Sequence, residues 1–384
     1  MQQIPARKWL LQPSGFTFID QLFNSPAFIP KAKELFFLKG VGESFQHHYV
    51  NSKEFREVMN QHSYFNPPQT IEELENMPWM FVSNFKEYEL LSVDKSEISF
   101  ILTSSGTKGK KTQLQLDAIS LNRLEYAVFQ VYKDLAIVNY ENLPCNYLLF
   151  TYDIQQAPNL GTAWTDVLIA DMNPCYERVF LINKKGNDFS FDLEFAISEY
   201  LRLSQQNIPL RILGFPAFIY ETLLEIEKRK LPALKNAADS WMLTGGGWKN
   251  KQGNSISKTE FAKWVESVIH LPQENIRDCF GMAEHGIGYV DCEYGRLHVP
   301  NYAHAITRDP FTLKKTKPGE PGILQLITPL LRSYPSLSLL TTDEAILHHS
   351  PCRCGRSGDG LEIVGRLGLQ HYEGCALRAM EYLK

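Results

Sequence analysis

Ile98-Ser99-Phe100-Ile101-Leu102 runs straight into Thr103-Ser104-Ser105-Gly106-Thr107-Lys108-Gly109-Lys110-Lys111-Thr112. The first five residues are a short β-branched and aromatic run and read as a buried strand. The loop after them holds hydroxyls, glycines and lysines, which is what a triphosphate needs. Glycine lets backbone N–H groups approach phosphate oxygens, hydroxyls donate further hydrogen bonds, and lysines neutralise charge. The spacing is not G-x-x-x-x-G-K-[ST], which sets the loop apart from P-loop NTPases. Taken alone, the same composition also suits a polar surface loop between strands.

Outward from this loop the chain changes character twice. The first hundred residues read as mainly helical, with turns at Asn66-Pro67-Pro68 and Met77-Pro78. Residues 117–136 suit a helix. Tyr147–Thr151, Val179–Ile182, Arg211–Gly214 and Trp241–Thr244 are short apolar runs separated by helical stretches at 190–205 and 216–230. Alternation of this kind predicts an α/β fold with a mostly parallel sheet flanked by helices. From about residue 289, short strands at Gly288–Val290, Leu297–Val299, Gly322–Ile327 and Leu337–Leu340 predict a small antiparallel or barrel-like β subdomain.

Bulk properties bound the function. A chain of 384 residues and 44.0 kDa suffices for one large or two ordinary domains. Hydrophobic content of 44% and charged content of 21% are those of a globular protein. A net charge of −4 gives no reason to expect nucleic acid or an anionic membrane as partner. No apolar run approaches the roughly 20 residues of a bilayer span, and the N-terminal residues lack a secretory pattern. Seven cysteines, an odd number, argue for reduced thiols and a cytoplasmic setting.

The loop resembles the Ser-Gly-Thr-x-Gly-x-x-Lys signature of adenylate-forming enzymes, with Lys111 at the lysine position and Lys110 where proline is usual. Phe280-Gly281-Met282-Ala283-Glu284 is similar to their aromatic-Gly-x-Thr-Glu motif, with Ala283 in place of threonine. The resemblance implies that Glu284 binds Mg²⁺, and a carboxylate suits a hard cation bridging phosphate oxygens. Thr341-Thr342-Asp343 resembles the Thr-Gly-Asp motif whose aspartate accepts the ribose hydroxyls. Gly365-Arg366 resembles the Gly-Arg at the hinge, with the arginine on ribose or phosphate. Thr244-Gly245-Gly246-Gly247-Trp248 falls where the superfamily places its adenine-binding turn. Its glycines let backbone lie flat against a planar group.

Within that superfamily, Met77–Glu87 (MPWMFVSNFKE), Thr244–Lys249 and His298-Val299-Pro300 look like the acyl-protein synthetases of bacterial fatty acid reductase. That resemblance implies an adenylate-forming domain over residues 1–365 and a short C-terminal tail over 366–384. Only 18 residues follow Arg366, too few for the mobile lysine-bearing domain of ordinary ligases. It further implies ATP-dependent activation of a carboxylic, fatty, acid as its acyl-adenylate. Arg366 and the lysine-rich loop would stabilise the developing charge. Cys375 stands at the reactive-cysteine position and would take the acyl group as a thioester, for delivery to a reductase-like or acyl-carrier partner. His371 reads as a surface histidine. Two alternatives stay open: a ligase acylating coenzyme A or a carrier directly, and a catalytically silent nucleotide-binding subunit.

Two further features complete the reading. Cys292-x5-His298 followed by Cys352-Arg353-Cys354-Gly355 offers three sulfurs and one imidazole, a zinc set that would be structural because four protein ligands close it. Phenylacetate–coenzyme A ligases show a similar arrangement. His348 and His349 are the substitute ligands, and Cys279 reads as core. Gly214-Phe215-Pro216-Ala217-Phe218 with Tyr220 is the candidate wall of an acyl pocket, or equally a helix start packed in the core.

Overall fold

The computed structural model describes residues 2–28, 33–103, 112–137, 143–186, 188–246 and 256–366. They divide into two compact units. One takes the described residues of Met1–Trp9, Leu135–Phe280 and Val290–Gly295. The other takes those of Leu10–Asp134, Gly281–Tyr289 and Arg296–Lys384.

The first unit is built on a seven-stranded sheet in the order Tyr289–Val290, Ile276–Phe280, Trp241–Gly245, Leu210–Gly214, Cys145–Tyr152, Cys175–Lys185, Asp188–Phe191. From Ile276–Phe280 across to Cys175–Lys185 every pairing is parallel, and Asp188–Phe191 closes that end antiparallel. Cys145–Tyr152 and Leu210–Gly214 are buried almost throughout, as strands covered on both faces must be. Leu193–Ser204, Pro216–Lys228 and Lys258–Ile269 are the helices of the alternation. They bury Tyr200, Ile219, Leu223, Phe261 and Val265 against Leu148, Ile212 and Met242. Gly214 has φ +137°, and a Cβ there would lie 2.3 Å from the Phe150 carbonyl oxygen, so only glycine fits at this strand end.

In the second unit the expected helices are present at Thr17–Asn24, Lys33–Asn51, Lys53–Gln61, Ile71–Glu75 and Ala118–Asp134. Its larger sheet runs Leu297–His298, Gly360–Arg366, Ser338–His348, Gly322–Ile327, His304–Arg308, antiparallel along this path. The two-residue strand Met80–Phe81 adds to Ser338–His348 in parallel. These strands form the sheet of the expected β subdomain and share one unit with the N-terminal helices. Tyr289–Val290 belongs to the other sheet.

Ile98–Thr103 pairs with Gln113–Asp117 as a two-stranded antiparallel hairpin. The buried strand expected at Ile98–Leu102 is corrected: Leu102 is buried while Ile101 is exposed, because a hairpin covers one face only. Polar contacts from the Arg332-Ser333 turn anchor this hairpin. Arg332 pairs with Glu97 and Asp117, and Ser333 Oγ donates to the Gln115 carbonyl at 2.9 Å. Among the described residues no helix is long and apolar enough to cross a membrane.

Candidate active site

The candidate phosphate loop falls between the two strands of that hairpin in sequence, and its flanks Thr103 and Gln113 are partners in the ladder. Ser104, Ser105, Gly106, Thr107, Lys108, Gly109 and Lys111 lie outside the described residues, as do Gly247, His371 and Cys375.

Asp343 and Arg366 are brought together. They are opposite partners on adjacent antiparallel strands, and Arg366 Nε donates to Asp343 Oδ1 at 3.0 Å. The Asp343 side chain is 6% exposed and that of Arg366 is 69% exposed. Burial pushes the Asp343 carboxyl up from its ordinary range, and the charges of Arg366 and Lys86 oppose that shift. Thr341 Oγ accepts from the Asp343 N–H at 3.0 Å and pins the local backbone. The result is a largely buried acceptor with one face toward a cation, the chemistry a vicinal diol requires.

Lys86 was quoted in the Met77–Glu87 segment, but sequence alone assigned it no role. The parallel pairing of Met80 and Phe81 with Leu339 and Leu340 carries the chain alongside Ser338–His348. Val82 N–H continues it, donating to the Leu340 carbonyl at 3.0 Å. Phe85 then packs on Tyr334 with ring centroids 4.6 Å apart, which leaves Lys86 exposed on the short helix Asn84–Glu87.

Glu284 is 5% exposed and has no hydrogen-bond donor or ion-pair partner among the described residues. Its charge contributes, after burial, to pushing up the Tyr334 hydroxyl. A nearly buried carboxylate without a counter-charge suits a bound divalent cation. The turn carrying it is closed by His285 and Gly286 N–H groups, both donating to the Met282 carbonyl. Gly286, at φ +78°, sits where a Cβ would come within 2.6 Å of Leu330. Gly281 opens the same turn.

In the first unit, Trp241–Gly245 ends at the glycine turn. A Cβ on Gly245 would lie 2.5 Å from Cys279 Sγ, and Gly246 has φ +77°. Thr244 Oγ donates to Asp278 Oδ1 at 2.7 Å, two residues before Phe280, which is partly exposed at the end of its strand. Of the expected acyl wall, Phe215 and Ala217 are buried. Phe218 is partly exposed and packs on Phe191 at 4.7 Å between centroids. Tyr220 pairs with Trp264.

His298, Cys352 and Cys354 of the second unit place their ligand atoms within 4.8 Å of one another. Cys354 Sγ lies 3.3 Å from His298 Nε2. Zinc held tetrahedrally by sulfur and nitrogen would set that edge at about 3.5 Å, so the residues fit the metal. The knuckle closes as expected: Gly355 N–H donates to the Cys352 carbonyl at 3.1 Å with Gly355 at φ +75°. His348 and His349 are not substitute ligands in this arrangement, since they bond Glu362 and Asp359 at 2.9 and 2.8 Å. Cys292 is buried in the first unit.

The fold is that of adenylate-forming ligases. The chain superposes on 2-hydroxyisobutyryl-CoA ligase in the postadenylation state, in complex with R3-HIB-AMP, with a TM-score of 0.69 at 14% identity. The match covers 89% of this chain and 69% of that one. The family "Acyl-protein synthetase, LuxE" matches residues 19–383, so the chain belongs to the LuxE acyl-protein synthetase family and is a ligase. It is similar to the long-chain-fatty-acid–luciferin-component ligase of Aliivibrio fischeri, 29% identical over 88% of this chain and 86% of that protein. The protein of the same name from Vibrio harveyi is 27% identical over 87% and 84%.

Proposed function

We propose that this chain activates a long-chain fatty acid with ATP and transfers the acyl group to its own Cys375. A carboxylate oxygen attacks the α-phosphorus, the bond to the β-phosphate oxygen breaks, and pyrophosphate leaves. The Cys375 thiolate then attacks the acyl carbonyl and AMP departs, leaving a thioester. The observation that carries the reading is the Asp343–Arg366 pair, a buried acceptor and a cation held together at matching strand positions.

Asp343 accepts the ribose hydroxyls while Arg366 and Lys86 keep it ionised. Gly245, Gly246 and Gly247 serve as the adenine turn, and Phe280 and Gly281 are further nucleotide-binding residues. Thr103, Ser104, Ser105, Gly106, Thr107, Lys108, Gly109 and Lys111 hold the phosphates. Glu284 would hold Mg²⁺, which when bound neutralises pyrophosphate charge. Lys86 supplies a further cation near the nucleotide. Phe218 and Phe191 offer an aromatic wall to the acyl chain. Residues 1–365 serve activation, and 366–384 carry the acceptor thiol.

Cys292, six residues before His298, joins His298, Cys352 and Cys354 as the fourth ligand of a structural zinc. None of the described cysteines forms a disulfide, which with the need for ATP favours a cytoplasmic setting. A reductase that consumes the acyl-thioester is the partner this chemistry calls for. The test is fatty-acid-dependent ATP–pyrophosphate exchange. Its absence with every acid offered would overturn the reading, and acylation of free coenzyme A in place of the protein would replace its second step.

A further inference from the structure

Lys258 opens the helix Lys258–Ile269, and its ammonium meets both Asp291 oxygens at 2.9 Å. It also lies 3.5 Å from Asp278 Oδ2. The Asp291 side chain is 4% exposed, and its Oδ2 accepts from the Asp278 N–H at 3.0 Å. In return, Asp291 N–H donates to the Asp278 carbonyl at 2.9 Å. The other Asp278 oxygen is bonded by Thr244 Oγ. Thr244 and Asp278 are ladder partners, as are Gly245 and Cys279. One ion pair, buried on its Asp291 side and half exposed on its Lys258 side, therefore ties the strand end that leads into Gly245-Gly246 to the strand end that leads into Phe280.

Burying the Asp291 carboxylate costs free energy that an ion pair with a half-exposed lysine returns only in part, so the pair is a poor device for stability alone. Two carboxylates side by side are worse unless a cation stands between them. We propose that Lys258 and Asp291 are positioning residues for nucleotide binding, holding the two strand ends in register so that the glycine turn is preorganised for adenine. This rests on the reading of Gly245-Gly246-Gly247 as the adenine turn.

Asp291 is pushed up to about 6 by burial, against the pull of Lys258. Asp278 faces it, and Arg277, itself 3.9 Å from Glu293, donates to its carbonyl. Cys279, whose thiol burial pushes well up, and Asp166 are the other titratable groups at this corner. With Lys258 gone, Asp278 and Asp291 repel when both are ionised, and a proton taken up at lower pH relieves them.

ATP affinity measured by calorimetry with Mg²⁺ and without acid substrate tests this. Lys258→Met should weaken binding about tenfold at pH 8, the loss expected for a charged hydrogen bond. The defect should shrink as pH falls to 6, and Lys258→Arg should bind as the parent does. Unchanged affinity at pH 8, or a defect equal at both pH values, overturns the proposal. If Lys258→Met does not fold, Lys258→Gln, which keeps a donor toward Asp291 but no charge, is read in its place: weaker binding at pH 8 that recovers toward pH 6 supports the proposal, and parental affinity at pH 8 or a defect equal at both pH values overturns it. A parent that binds no ATP overturns the nucleotide reading itself, which separates the two failures.

Discussion

Burial pushes the Asp343 carboxyl up, and two cations oppose the shift, Arg366 through a hydrogen bond and Lys86 through space. Its folded pKa is nonetheless raised, so nucleotide binding that needs the carboxylate should fall away at a higher pH than an ordinary aspartate would allow. Arg366 favours the ionised form. Arg366→Ala should therefore move the acid limb of the ATP-affinity profile further up in pH, and an unmoved limb would separate Arg366 from Asp343 in function. Glu284→Ala and Lys111→Ala should each lower acid-dependent pyrophosphate exchange by about 10²–10³-fold, the usual cost of losing one charge-stabilising contact. Lys86→Ala should fall in the same range if its charge reaches the transferring phosphoryl group. A circular dichroism spectrum like the parent's must accompany each loss, and full exchange in a variant removes that residue from the site.

Elements were legible where local pattern and long-range pairing agree. The parallel core announced itself through apolar runs such as Tyr147–Thr151, because strands covered on both faces leave no polar alternation to confuse the reading. Ile98–Leu102 has the same composition yet forms a one-faced hairpin, since what covers a strand is decided by residues far away in sequence. Met80–Phe81 is too short to carry any period, and its role follows only from pairing with residues about 260 positions later. The Asp343–Arg366 contact was foreseen as two separate motifs, but the ladder that joins them was not. The C-x-C-G turn could be read because its ligands and its glycine are neighbours. At this scale the knuckle and the strand Leu297–His298 bring Cys352, Cys354 and His298 within ligand distance of one another, and under the zinc proposal purified protein should hold about one zinc per chain. Cys354→Ser should lose most of the zinc and lower the melting temperature, with adenylation declining only as the fold loosens. Metal analysis that finds no zinc in protein prepared without chelator ends this proposal.

At the scale of the whole molecule the two half-reactions draw on different parts of the chain. In the proposed reading residues 1–365 serve activation, and the acyl acceptor lies nine residues beyond Arg366. The described thiols outside the metal set argue for that division. Burial pushes Cys145 up to about 11, raises Cys175, and raises Cys279 well above its ordinary value, so each is protonated at neutral pH and weakly nucleophilic. An acyl-adenylate needs a thiolate, which these three buried thiols supply poorly, and Cys375 is the acceptor that the family resemblance implies. Cys375→Ser should therefore keep ATP–pyrophosphate exchange at the parental rate while failing to retain labelled acyl group after denaturation. In the parent the label should be released by neutral hydroxylamine, as a thioester is and an ester is far more slowly. Retention of the same label by Cys375→Ser would move the acceptor to another residue. Loss of exchange together with label would make Cys375 part of the activating site, and the two steps would no longer be separable in this chain.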